Sequence, residues 1–408
     1  MKDFPQHVKG TIDFFSSRVS LFQEITEVAR KILKFFGYEE IILPILEESK
    51  VFLKVGEFTD IVEKQMFKIE GKDIVLRPEG TAQVVRFFVE NRLWKEKEFH
   101  KFFYIGPMFR GEKPQRGRLR QFYHIGAEAL GSNLPFLDAE IIKIASDILK
   151  ELGIKDVKLK INSLGCQQDK EILRKRLKEK LKEKKERLCS ICQKRLDKNP
   201  LRILDCKEKR CQEIVEEIDI GDFLCDSCQK HFEKVLHYLD KLNISYIYSP
   251  TLVRGLDYYT HTVFEITSSH LGSQDACGAG GRYNSLVRSM GGPDIPGVGF
   301  ALGIERIMLL LKEKKKVPSS KVFVAYTPGY FDKAVEILNF LREKGIPSQI
   351  SYLEKSLKAQ LRFSHKIGVD FVVIVGEEEV KNNFLTLKDM RKSLQEKVSW
   401  EDLLNRIC

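Results

Sequence analysis

The chain has 408 residues, 43% hydrophobic and 31% charged, with 69 Lys and Arg against 58 Asp and Glu, a net charge of +11. That length gives two or three domains with sizeable cores, and so basic a balance favours a polyanionic partner, although a lysine-rich soluble surface gives the same number. No apolar run approaches bilayer-spanning length, and the opening Met1-Lys2-Asp3-Phe4-Pro5-Gln6-His7 lacks the apolar core of an export signal, so the nine cysteines are expected as reduced thiols in a cytosol.

From Leu21 to Phe36, the residues Phe22, Ile25, Ala29, Ile32, Leu33 and Phe36 recur at spacings of three and four, which predicts a helix. Gly37 ends it as a C′ glycine. Tyr38 to Leu43 then reads as a strand stopped by Pro44. Ile74-Val75-Leu76 predicts a buried strand. Arg77-Pro78-Glu79-Gly80 breaks it, and Thr81 is placed to cap a helix from Ala82 to Asn91. Phe102–Arg110 and Gln121–Leu130 read as paired strands, and the loop between them carries Lys113, Arg116, Arg118 and Arg120 against Glu112. A period of two puts Phe122, His124, Gly126 and Glu128 on one face. A carboxylate beside a small residue suits an amine or imidazole N–H. A salt-bridged edge carboxylate and a structural histidine are the plainer readings.

Val157–Ser163 alternates like a strand, and residues 167–187 form a charged helix with one narrow seam, Leu173, Leu177 and Leu181. A cysteine-rich stretch follows, and core-like sequence resumes at Ile244–Tyr248, so about 167–240 reads as an insertion. Two knuckles, Cys189-x-x-Cys192 and Cys225-x-x-Cys228, are the pattern of a four-thiolate structural zinc, with Cys206 and Cys211 between them. The gap is wider than in the usual ribbon, and reduced cysteines packed as small core residues are the other reading. Cys166, Cys277 and Cys408 have no spacing partner and read as structural.

Arg254 lies in Leu252-Val253-Arg254-Gly255-Leu256-Asp257-Tyr258-Tyr259, between apolar residues and a glycine. Arg110 and Arg306 sit in comparable apolar segments. Arginine forks bind planar anions bidentately and stay charged when partly desolvated, so three of them suggest a site for nucleotide phosphates. Gly278-Ala279-Gly280-Gly281-Arg282-Tyr283 reads as a glycine floor beneath a planar ligand, with a tight turn as the alternative. A charged, proline- and serine-containing linker at 313–320 precedes alternating strands and helices at 321–408, a small α/β domain with a largely parallel sheet. No GxxxxGK[ST], HExxH or GxSxG occurs, which removes P-loop enzymes and two hydrolase classes.

Taken together, these segments resemble the histidyl-tRNA synthetases, class II aminoacyl-tRNA synthetases. The helix and strand ending at Pro44 resemble motif 1, a dimer interface in that family; Phe109-Arg110 through Glu128 resemble motif 2; Gly297–Arg306 resembles motif 3. The segments 252–259 and 279–283 are similar to signatures of the histidine-specific members. The resemblance implies an α+β catalytic domain on a mainly antiparallel sheet at 1–312, with a helical, cysteine-rich insertion, and an α/β anticodon-binding-like domain at 321–408. It implies a cytoplasmic homodimer acting on ATP with Mg²⁺, L-histidine and tRNA(His). It assigns catalysis to Arg254 and Arg110, and ATP binding to Arg110, Glu112, Arg118 and Arg306. Histidine binding falls to Glu79, Gly80, Thr81, Arg110, His124, Glu128, Arg254, Tyr258, Tyr259 and Tyr283. Glu79 and Thr81 would take the ammonium, Glu128 and Tyr259 the imidazole. His124 stands where many relatives have glutamine; a histidine there either hydrogen-bonds in its place or titrates and makes affinity pH-dependent. The family also contains a non-catalytic regulatory subunit of ATP phosphoribosyltransferase, and an RNA-binding module without adenylate chemistry is the other alternative.

Overall fold

The computed structural model describes residues 4–53, 65–218, 222–272, 275–311 and 321–407. The chain divides into two compact units, residues 1–313 and 314–408. The expected linker at 313–320 and Cys408 lie outside the described residues.

The first unit is organised by an eight-stranded sheet. Its order is Glu39–Glu40, His100–Phe109, Gln121–Leu130, Gly297–Gly303, Ala276–Arg282, Thr260–Thr267, Lys158–Ser163 and Ile247–Tyr248. Only the two short edge strands pair in parallel; the other ladders are antiparallel. Alternation sorts the side chains between the two faces. Phe103, Ile125, Ala127, Phe264 and Phe300 join a core closed by the helices Ser17–Phe35, Pro135–Glu151 and Asp226–Lys241. Phe102, Tyr104, Val263 and Tyr283 join a second core with Val84, Val85 and Phe88 of the helix Thr81–Glu90. The helix Ser17–Phe35 buries Leu21, Ile25, Ala29 and Leu33, and Gly37 follows it at φ 78°.

Local chemistry corrects one expectation. Thr81 does not cap the helix Thr81–Glu90. The carboxylate of Glu79 accepts from the N–H groups of Thr81 (2.6 Å) and Ala82 (2.9 Å), and so takes the capping role. Within the expected insertion, the helices Gln167–Lys182, Ser190–Lys198 and Lys209–Glu216 share a small core of their own. Asp226–Lys241 instead seats Phe232, Val235 and Leu239 in the main core.

The second unit holds a five-stranded sheet, ordered Ser348–Ile350, Val322–Tyr326, Phe371–Val375, Leu385–Asp389, Leu394–Val398. The first three strands are parallel and the last two antiparallel. The sheet is therefore evenly mixed rather than largely parallel: a tight turn at 390–393 joins the last two strands as a hairpin, and Leu385–Asp389 also runs antiparallel to Phe371–Val375. Ser399 Oγ accepts from Asp402 N–H at 3.0 Å, capping the helix Trp400–Ile407.

Candidate active site

A cleft of about 320 Å³ opens in the first unit on the sheet face that carries Tyr104 and is lined also by Tyr258 and Tyr259, within the range of small-ligand sites. Four separate stretches of chain supply the expected residues. Glu79, Gly80 and Thr81 come from the turn that starts a helix. Arg110 and His124 come from the central hairpin, Arg254, Tyr258 and Tyr259 from the loop before Thr260–Thr267, and Arg306 from the helix Ile304–Leu310. Glu112 and Arg118 also line the cleft and form an ion pair with each other.

Two expected residues are absent from the lining. Glu128 is fully buried, and both of its oxygens are engaged: Thr81 Oγ1 donates to Oε1 and Tyr283 Oη donates to Oε2, each at 2.6 Å. Tyr283 is buried with it and reaches the cleft through that bond and through an edge-on contact with the Tyr258 ring, centroids 5.8 Å apart. Burial pushes the Glu128 carboxyl up to about 8, although the two hydroxyl donors work against the rise. The neighbouring Arg282 takes no place in the cleft. It is wholly buried and paired with Asp138 of the helix Pro135–Glu151.

Glycines make room for this layer. A Cβ on Gly80 or on Gly126 would overlap the Tyr104 ring, and a Cβ on Gly299 would overlap the Glu128 carboxylate. The space beside His124 and Glu128 expected from Gly126 is therefore filled by an aromatic ring.

The three arginines are each held along one edge. Arg110 Nε donates to Pro78 O at 2.9 Å, and its guanidinium lies 5.1 Å over the Phe122 ring. Arg306 Nε donates to Gly117 O at 2.8 Å, with Nη1 on Ala276 O. Arg254 Nη1 donates to Glu265 Oε1 at 2.9 Å, and its buried Nε has no partner among the described residues. Burial lowers Arg110 below the usual arginine range, and the charge of Arg254 adds to this. Burial also lowers Arg306, with Arg110 and Arg118 acting in the same sense. At Arg254 burial opposes the charge, but Glu265 and Tyr259 outweigh it and hold the group above its ordinary value. Like charges concentrated in one cleft attract an anion.

His124 is held well below its ordinary value by burial first, then by Arg110, Arg306 and Arg77. It is neutral at physiological pH, and its buried Nδ1 has no hydrogen-bond partner among the described residues. Of the two roles expected for a histidine there, titration loses its basis.

Several cleft residues escaped the sequence reading. Tyr104 lies on the expected strand, and its buried hydroxyl has no partner among the described residues. Glu265 is the one charge in the run Val263-Phe264-Glu265-Ile266, a signal of the kind that marked Arg254. Arg202, Asp205 and Lys207 reach the cleft from the cysteine-rich insertion, and Arg202 Nη1 donates to Arg254 O at 3.3 Å. Lys170 supports the same loop from beneath, donating to Asp257 O at 2.6 Å and Tyr259 O at 2.8 Å. Burial brings its ammonium down to about 8.

The cysteines do not pair as their spacing suggests. Cys189, Cys192, Cys206 and Cys211 form one buried group, and Cys225 and Cys228 join Cys166 and Asp169 in another. Chain geometry separates the knuckles: Cys189 starts a helix of the insertion, while Cys225 starts the helix that packs on the main core. Cys166, expected to stand alone, belongs to the second group. Cys277 is buried and lines the cleft.

Comparison with known proteins agrees across the chain. Residues 10–307 match the family model described as histidyl-tRNA synthetase, and residues 317–407 match that of an anticodon binding domain. The chain is 48% identical over 403 residues to a histidine–tRNA ligase of Aquifex aeolicus, covering 98% of this chain and 99% of that protein. It is 45% identical over 409 residues to one from Halothermothrix orenii, with 98% of each covered. The crystal structure of apo Staphylococcus aureus histidyl-tRNA synthetase matches with a TM-score of 0.82 at 32% identity, covering 99% of this chain and 100% of that one.

Proposed function

The chain belongs to the histidyl-tRNA synthetase family, and from that premise we propose which of its own residues carry the reaction. It is an aminoacyl-tRNA ligase that activates L-histidine with ATP, in the presence of a divalent metal, and transfers the histidyl group to tRNA(His). The regulatory-subunit alternative has less support: the relatives at 45% and 48% identity are ligases, and Arg110, Arg254 and Arg306 all line one cleft.

The single observation that carries the assignment of residues is that three anchored guanidiniums and a buried neutral histidine share that cleft. A carboxylate must attack the α-phosphate of ATP, and the two anions repel one another. Arg110 and Arg254 offset that repulsion and stabilise the charge that grows on the phosphate. Arg306 and Arg118 hold the outer phosphates beside Glu112. Mg²⁺ enters with ATP, held mainly by phosphate oxygens, water and a carboxylate of the kind Glu112 offers. Glu79 and Thr81 face the substrate ammonium, with Gly80 giving backbone clearance. Tyr259 and His124 Nδ1 face the imidazole, and Tyr258 walls the pocket. Glu128 and Tyr283 act on the ammonium from behind by orienting Thr81. A site with such polar partners rejects analogues that leave them unpaired.

The reading also places the catalytic domain at 1–312, with the insertion at about 167–240, and the anticodon-binding domain at 321–408. It includes a structural Zn²⁺ in the insertion. Phe35 and Ile42, 86% and 96% exposed on the motif 1 segment, support a homodimer. Among the described residues no helix is long and apolar enough to cross a membrane; cytoplasmic location follows from the reaction proposed. The test is ATP–pyrophosphate exchange with each of the twenty amino acids. Exchange with histidine alone is expected, and no exchange with histidine would overturn the reading.

A further inference from the structure

We propose that Cys189, Cys192, Cys206 and Cys211 together bind one tetrahedral zinc ion, and that the loop they close steadies the segment carrying Arg254. This deepens the proposed structural zinc by naming its ligands, which differ from the two knuckles that spacing alone would join.

The spacing is C-x₂-C-x₁₃-C-x₄-C. All four cysteines are buried, and their sulfurs lie within 4.8 Å of one another. Cys189 Sγ and Cys206 Sγ are 3.9 Å apart, and all four are free thiols. Sulfurs set tetrahedrally at about 2.3 Å from zinc lie about 3.8 Å from each other. Backbone N–H groups point at two of the sulfurs: Cys192 N donates to Cys189 Sγ at 3.4 Å, and Cys189 N donates to Cys211 Sγ at 3.2 Å. Such donors favour the thiolate, the form that ligates. Four small thiols in an apolar core need neither this convergence nor these donors.

Among the described residues the surrounding fold rests on a small core. The helices Gln167–Lys182, Ser190–Lys198 and Lys209–Glu216 are rich in charge, and their shared core consists of a few leucines, isoleucines and one valine around the sulfurs. Units this small commonly depend on a metal for folding.

The ring closed between Cys192 and Cys206 touches the active-site loop directly. Asn199 Nδ2 donates to both oxygens of Asp257 at 3.0 and 2.8 Å, and Arg202 Nη1 donates to Arg254 O. A cation that fixes this ring therefore fixes one wall of the cleft.

The test uses the full-length protein, reconstituted with zinc alone under reducing conditions and measured for bound metal beside a Cys206→Ser/Cys211→Ser variant. One zinc fewer per chain in the variant is expected. Zinc retained at the parent level would overturn the ligand assignment while leaving a structural zinc in place, and zinc in neither protein would overturn both. If the variant does not fold, cobalt replaces zinc in the parent. The visible spectrum of a tetrahedral four-thiolate centre is expected, and its absence overturns the proposal. Hydrogen exchange at 199–205 and at 254–257 should rise together when metal is removed; unchanged exchange at 254–257 would overturn the coupling. Histidine-dependent pyrophosphate exchange, run on the same parent protein, tests the synthetase reading separately.

Discussion

Arg254 and Glu265 meet in the cleft through a 2.9 Å bond from Nη1 to Oε1, each side chain about one-fifth exposed. One edge of the guanidinium is thereby fixed by a strand residue, while Nε has no partner among the described residues. Preorganisation of this kind lets a charge act without reorganising during the reaction. Arg254→Ala should slow histidine-dependent adenylation by roughly a hundredfold to a thousandfold while leaving tRNA affinity nearly unchanged. Glu265→Gln, which keeps a hydrogen bond and loses the charge, should cost about tenfold. Single-turnover adenylate formation checks both, and equal rates in Arg254→Ala and the parent would sink the role of Arg254.

Glu128 gives a stability signature. A carboxyl raised from 4.5 to about 8 keeps a proton that the unfolded chain has released. The unfolded state then binds fewer protons, so this group makes stability fall as pH climbs through that window. Glu128→Gln removes the titration, and either Thr81 or Tyr283 can turn its hydroxyl to accept from the amide. Unfolding free energies measured by denaturant titration between about pH 5 and about pH 8 should fall less in the variant, by an amount on the order of a few kcal/mol. Glu305, raised to about 7 by burial, leaves a residual slope of the same sign. Parallel curves for parent and variant would contradict the assignment.

Because His124 is held neutral, it should contribute no ionisation to catalysis. His124→Gln is expected to change the KM for histidine by less than about tenfold. The shape of the pH profile for kcat/KM should stay the same, with the substrate imidazole titrating in both proteins. A limb near neutrality present in the parent and missing in the variant would show that His124 titrates after all.

Gly126→Ala places a methyl group in the Tyr104 ring. Overpacking of this kind costs about 1–3 kcal/mol, and the displaced ring borders the substrate side of the cleft. A lowered melting temperature should accompany a raised KM for histidine with little change in KM for ATP. An unchanged KM for histidine would place that substrate elsewhere.

The net charge of +11 bears on tRNA. Binding measured across a salt series should weaken steeply, with a log–log slope of several units as counterions are released. A flat response would remove phosphate contacts as the main source of affinity.

The arginines that line the cleft and the carboxylate behind it were legible without coordinates because chemistry marks them locally. Arg110, Arg254 and Arg306 are charges in apolar runs, and Glu128 lies on a strand whose alternation assigns its face. Helix Ser17–Phe35 and strand Gln121–Leu130 were readable for the same reason, since periodicity is a property of neighbouring residues. What the chain does from end to end is not local. Only the fold shows that Thr81 and Tyr283 both spend their hydroxyls on Glu128, from positions 47 and 155 residues away. Only the fold seats Tyr104 between two glycines and brings Arg202 from the insertion onto the carbonyl of Arg254. The cysteines show the division most sharply. Spacing paired the two knuckles with each other, whereas packing sends Cys189 and Cys192 to Cys206 and Cys211 because the helix after Cys225 is pulled into the main apolar core. Sequence set which groups are reactive, charged or apolar, and burial in three dimensions set which of them meet.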